Sequence, residues 1–144
     1  MLEMTADTFQ CTYCGSVASE WAHLRPLVKD KKPTGYISEI QNLVPSCGKC
    51  NQSKGNKEWR TWMLSTAKRS PKARGVKDIH ERIKRLEAYE RSKTPTRMDF
   101  EAIVGQEAWA QHQDNLERVQ TLMRESQELA AKINAEVANA YNAL

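Results

Sequence analysis

The chain has 144 residues, a formal net charge of +4 and four cysteines. That length bounds it to one domain, or to one small domain with an appendage. No apolar run is long enough for a bilayer span, and the opening MLEMTADTFQ lacks the basic start and apolar centre of a signal peptide, so a cytoplasmic location and no membrane partner are expected.

Residues 1–10 read as a weakly structured lead-in. Cys11-Thr-Tyr-Cys14 is a first CxxC knuckle, with Gly15 suited to a tight turn that aims backbone amides at the sulfurs. Trp21 to Leu24 reads as a short strand ended by Arg25-Pro26, with Trp21 expected in the core. Residues 27–38 read as a long basic loop in which Tyr36 is placed to touch nucleic acid, and residues 39–45 as a returning element that ends in a strand. Cys47-Gly-Lys-Cys50 is the second knuckle. A helix is predicted from Asn51 to about Lys68, loosened at Gly55-Asn56, with Trp59, Trp62 and Met63 on its apolar face. Residues 69–75 read as a basic linker, and Val76 to Arg91 as an amphipathic helix carrying Ile79, Ile83, Leu86 and Tyr89. A short helix at 98–104 and a long one from Glu107 to Asn142 complete the chain.

The long helix has apolar residues at every seventh position, Trp109, Leu116, Met123, Ala130, Val137 and Leu144. A second series, His112, Val119, Ser126, Ile133 and Ala140, lies three residues on. Such a narrow heptad-like seam favours pairing with a second copy, giving a homodimer, over an intramolecular hairpin with residues 76–91. The predicted fold is mainly α with a small β-hairpin. Its parts are a cysteine-stapled core over 1–70, a basic linker and amphipathic helix over 71–97, and a helical dimerisation tail over 98–144.

Charge follows these divisions. Residues 1–24 carry three acids and no Lys or Arg. Residues 25–97 carry 19 basic against 7 acidic residues, and residues 98–144 carry 3 against 8. A polyanion is therefore expected on the middle of the chain and not on the tail. Some of Lys77 to Arg91 reads as a solvated helical face, whereas Lys29-Asp30-Lys31-Lys32 and Lys49 to Arg60 flank the cysteines.

All four cysteines lie in the two knuckles. Paired CxxC spacing in a reducing compartment favours thiolates over disulfides, and four thiolates on short turns suit tetrahedral Zn²⁺, bound structurally by Cys11, Cys14, Cys47 and Cys50. His23 is the one histidine between the knuckles; His80 and His112 fall in predicted helices and read as surface or seam residues. Phosphodiester hydrolysis needs a base for the attacking water and a cation for the developing charge, and a neutral histidine suits the first task.

The order Cys11-x-x-Cys14, Trp21-Ala22-His23-Leu24-x-Pro26, Asn42-Leu43-Val44-Pro45-x-Cys47-x-x-Cys50-Asn51-x-x-Lys54 resembles the HNH nuclease family with its ββα-metal fold, in the zinc-stapled form of HNH restriction enzymes and endonuclease VII-type resolvases. The resemblance covers residues 11 to about 62. It implies that His23 polarises the water, that Asn42 holds the histidine-bearing loop, and that Asn51 opens the helix and ligates a catalytic Mg²⁺ or Mn²⁺. One position departs from the pattern. The family places Asp or His before the histidine as the other catalytic-metal ligand, and here that position is Ala22, whose methyl group binds no metal. Weak or absent cleavage is therefore expected. An engineered inactivation that traps uncut DNA is favoured over a naturally inactive relative, because His23, Asn42 and Asn51 are all in place. Arg25 and Lys54 are candidate phosphate contacts.

The expected function is thus a metal-dependent HNH endonuclease acting on double-stranded DNA, in a small homodimeric restriction-type form impaired at Ala22. A Holliday-junction-type resolvase and a phage HNH nickase are the alternatives within the class. Outside it stand a non-catalytic zinc-stapled DNA-binding module and a zinc-stabilised adaptor with a coiled-coil tail.

Overall fold

The structure is a computed structural model that describes residues 9–143. Most of the expected lead-in over 1–10, and the last seam position, Leu144, lie outside the described residues. The chain divides after Met98 into two compact units.

The first unit is built around an antiparallel pair, β1 (Glu20–His23) and β4 (Leu43–Ser46), in the register Glu20↔Ser46, Trp21↔Pro45, Ala22↔Val44 and His23↔Leu43. Alternation along β1 sends Ala22 into the core beside Val44 and leaves Trp21 49% exposed, against a Phe9 ring 5.5 Å away. The expectation of a core Trp21 is therefore corrected: inward-facing Ala22 forces its large neighbour outward. Both strands are edges of a two-stranded sheet, so Pro45 is tolerated in β4. The 27–38 segment is not a featureless loop. It holds a miniature ladder, β2 (Val28–Lys29) with β3 (Lys32–Pro33), turned by Asp30 and Lys31 at positive φ. A 3₁₀ turn at Ile40–Asn42 leads into β4.

The single helix predicted from Asn51 to Lys68 is two. The first, α1 (Gly48–Lys54), starts directly after Cys47 and ends at Gly55, whose φ of +50° and ψ of −126° suit glycine. The second, α2 (Trp59–Met63), starts afresh because the Glu58 carboxylate accepts from the amides of Arg60 at 3.1 Å and Thr61 at 2.7 Å. Trp59, Trp62 and Met63 are buried as expected, and Tyr13 meets Trp62 edge-on at 5.2 Å.

Next comes α3 (Ile79–Ser92). Its Ile79, Ile83 and Leu86 join the same core cluster as Tyr13, Val44 and Trp62. The Tyr89 hydroxyl reaches the carbonyls of Ile40 at 2.9 Å and Leu43 at 3.2 Å, tying α3 to the entry of β4. Arg82 pairs with Asp78 and lies over Gly15, where a Cβ would meet its guanidinium at 2.3 Å.

The second unit holds α4 (Phe100–Val104) and α5 (Gln106–Asn142), separated by Gly105 at a φ of +89°. Asp99 caps α4 through the amide of Ala102, and Phe100 stacks on Trp109 at 5.8 Å. At 37 residues, α5 is about 55 Å long. Along it Val119, Met123, Ile133 and Val137 are half exposed or more, and so are Leu122 and Leu129, which widen the seam beyond the two predicted series. Among the described residues no helix is long and apolar enough to cross a membrane.

Candidate metal centre and nuclease site

The two knuckles converge. The sulfurs of Cys11, Cys14, Cys47 and Cys50 all lie within 4.8 Å of one another, with Cys14 and Cys47 at 3.8 Å, and no disulfide joins them. Zinc–sulfur bonds of about 2.3 Å in a tetrahedron set sulfur–sulfur edges of about 3.8 Å, so the donor set fits a structural zinc. Each knuckle closes with a backbone bond onto its first cysteine: the Gly15 amide donates to the Cys11 carbonyl at 2.8 Å and the Asn51 amide to that of Cys47 at 3.0 Å. Gly15 takes a φ of +80°, as the turn demands. The Arg74 guanidinium stands 3.3 Å from the Cys50 sulfur and offsets thiolate charge. A metal here would tie the loop before β1 to the start of α1 and add a cross-link at the edge of the apolar cluster that Cys11 and Cys50 join.

His23 ends β1. Its Nε2 is hydrogen-bonded to the Ser38 hydroxyl at 2.8 Å, and burial, followed by the nearby Lys54 ammonium, holds its pKa below the usual 6.5. The imidazole is thus kept neutral. Asn42 is fully buried beneath the turn that follows. Its Oδ1 accepts from the Arg25 amide at 2.7 Å, and its Nδ2 donates to the carbonyls of Arg25 at 3.0 Å and Ile37 at 3.1 Å. One side chain thereby locks the exit of β1 against the Ile37 loop, which also carries Ser38.

Asn51 lies in the second turn of α1 and does not open the helix, because α1 begins at Gly48. Its Nδ2 donates to the Glu20 carboxylate at 2.7 Å. Glu20 and Ala22 are two residues apart on β1 and share a face. That face looks towards α1, where the Ala22 methyl is 1% exposed.

Lys54, expected at a phosphate, is 1% exposed. Its Nζ donates to the His23 carbonyl at 2.8 Å and to that of Gly55 at 3.4 Å. Burial lowers its pKa from 10.5 to about 8, with Glu58 opposing the drop and Arg25 and Lys57 adding to it. It lies one turn after Asn51, on the face that packs against β1, and that packing turns it inward. Arg25 pairs with Glu90 at 2.6 Å and is partly exposed. Tyr36 is half-buried, with the Arg97 guanidinium 6.0 Å from its ring centre.

Sequence reasoning missed Glu20, Ser38 and Glu90. A signal existed for Glu20, since period two on β1 puts it on the face of Ala22. None marked Ser38 or Glu90, which reach the site through loop closure and the docking of α3.

Residues 11–57 match the HNH endonuclease family model. The matched segment includes both knuckles, β1, β4 and α1. The chain is also similar to the CRISPR-associated endonuclease Cas9 of Corynebacterium diphtheriae, with 39% identity over 62 residues. That match covers 40% of this chain and spans 5% of the length of the Cas9 protein. No solved structure matches the chain.

Proposed function

We propose that the chain is a metal-dependent DNA endonuclease in a catalytically impaired form. The observation that carries this is a neutral, half-buried His23 set by the Asn42 clamp within an HNH segment. In the tautomer whose Nε2–H donates to the Ser38 hydroxyl, Nδ1 is the unprotonated nitrogen that takes the proton of the attacking water. Asn42 keeps that nitrogen aimed by fixing the backbone on the far side of the histidine. A Mg²⁺ or Mn²⁺ held at Asn51 would supply charge neutralisation at the leaving oxygen. The hard oxygen donors on this face fit such an ion and not zinc, and Ala22 contributes none of them.

Lys54 acts from inside. Its ammonium holds the His23 carbonyl and helps to keep the ring uncharged. Phosphate affinity then falls to exposed residues of the basic middle, notably Lys29, Lys31 and Lys32 on the small ladder and Lys49 on α1. The exposed apolar seam of α5 would pair two copies, and two sites about a twofold axis suit a small restriction-type enzyme that cuts both strands. A resolvase would use the same dimer, whereas a nickase would need none.

The buried Ala22 favours a second reading, a zinc-stapled DNA-binding module without catalysis. Cleavage by an Ala22→Asp chain separates the two. Filter binding at two salt concentrations separates both from an adaptor, since phosphate contacts impose a steep salt dependence and an adaptor shows no salt-dependent DNA binding.

A further inference from the structure

Glu20 has a setting that structural packing alone does not account for. None of the ion pairs among the described residues involves it, although the chain is rich in Lys and Arg. Its Oε2 faces the Asn51 side-chain amide at 2.7 Å, across 31 residues of sequence. Its Oε1 lies over Gly48, where a Cβ would come within 2.8 Å, so the missing side chain at 48 makes the room the carboxylate occupies. An unpaired carboxylate and a carboxamide are therefore held side by side, on the face of β1 where Ala22 leaves a ligand position empty.

Octahedral Mg²⁺ with bonds of about 2.0–2.1 Å sets adjacent ligand oxygens about 2.8–3.0 Å apart. The Glu20–Asn51 separation is close to that edge. A half-turn of the Asn51 amide exchanges Nδ2 for Oδ1 and converts the hydrogen-bonded pair into two oxygens converging on one cation. We propose that Glu20 supplies the anionic ligand position 22 lacks, so that Glu20 and Asn51 together bind a hard divalent cation. The inference rests on the nuclease reading for its purpose, not for its geometry. It revises the expectation of a site held by one neutral oxygen.

The test is Mn²⁺ titration of the zinc-loaded full chain, followed by the electron paramagnetic resonance signal of free Mn²⁺. Glu20→Gln is the informative variant, since its amide oxygen can still accept from Asn51 while the charge is gone. Wild type is expected to take up one Mn²⁺ per chain. Glu20→Gln should weaken uptake by at least about tenfold, with zinc content and melting temperature unchanged. Should Glu20→Gln lose zinc or unfold, Asn51→Ala becomes the deciding variant and must weaken uptake likewise. Wild-type affinity in the deciding variant, or no uptake by wild type, overturns the proposal. If Glu20→Gln keeps its Mn²⁺ while Ala22→Asp gains cleavage, Glu20 merely anchors Asn51 and the nuclease reading survives. If Glu20→Gln loses Mn²⁺ and Ala22→Asp cleaves nothing, the cation site stands and the nuclease reading falls.

Discussion

Replacing Lys54 with methionine removes a buried charge while roughly keeping side-chain volume. In the fold the Lys54 pKa drops from 10.5 to about 8 through burial, so below pH 8 the charged group costs about 3 kcal/mol relative to the unfolded chain. Between pH 8 and 10.5 the unfolded chain binds one proton more than the folded one. Stability therefore rises with pH across that window, by about 1.4 kcal/mol per unit. The hydrogen bonds to the carbonyls of His23 and Gly55 offset part of the cost, at about 1 kcal/mol each. Burial raises the pKa of the Tyr13 and Tyr89 hydroxyls above 10.0, which lowers stability only above that pH and leaves the lower part of the window clear. Urea unfolding of the zinc-loaded chain at several pH values from about 8 to about 10 reads the slope directly. Wild type should gain about 2 kcal/mol across that range, and Lys54→Met should be flat. An equal slope in both chains would refute the buried-ammonium assignment.

Other expectations follow from the same geometry. Cys47→Ser should abolish stoichiometric metal binding and cooperative unfolding, read by metal analysis and near-ultraviolet circular dichroism, because one sulfur of the four is lost. Asn42→Ala strands a buried backbone amide and two carbonyls and should cost about 3 kcal/mol in denaturant unfolding. In a cleavage-competent background, kcat/KM should rise with pH and level off with a midpoint below 6.5, since His23 must be neutral and its pKa is lowered by burial and Lys54. Ile133→Glu on the exposed face of α5 should halve the mass found by sedimentation of a dimeric chain, and an unchanged mass would remove α5 as the pairing element.

The two core strands were legible from the Trp21–Leu24 run closed by Arg25-Pro26 and from the returning element over 39–45, whereas their register, Ala22↔Val44 and His23↔Leu43, is set by the packing of both strands on the core. The long α5 was legible from its heptad repeat and the absence of Gly or Pro after Gly105. The break between α1 and α2 was not, since Gly55-Asn56 reads equally as a kink or a stop. The Glu58 cap that settles it is a local signal, a carboxylate accepting from the first amides of α2. Helical spacing put Lys54 on the Asn51 face correctly, but spacing does not say whether a face meets solvent or a strand. The apolar stripe of α3 was visible, whereas its partner depended on long-range docking through Tyr89, Ile83 and Leu86. Glu20 is the consequential residue that the motif leaves unmarked, because its role depends on α1 bringing Asn51 to the same face of β1.

Plasmid cleavage by a folded, zinc-loaded Ala22→Asp chain tests the central claim most directly. Supercoiled DNA should become nicked or linear with Mg²⁺ or Mn²⁺, and adding His23→Ala to that chain should abolish the gain while leaving DNA binding intact. A folded Ala22→Asp chain that binds DNA with a steep salt dependence yet cuts nothing would contradict the nuclease assignment and leave the DNA-binding module in its place.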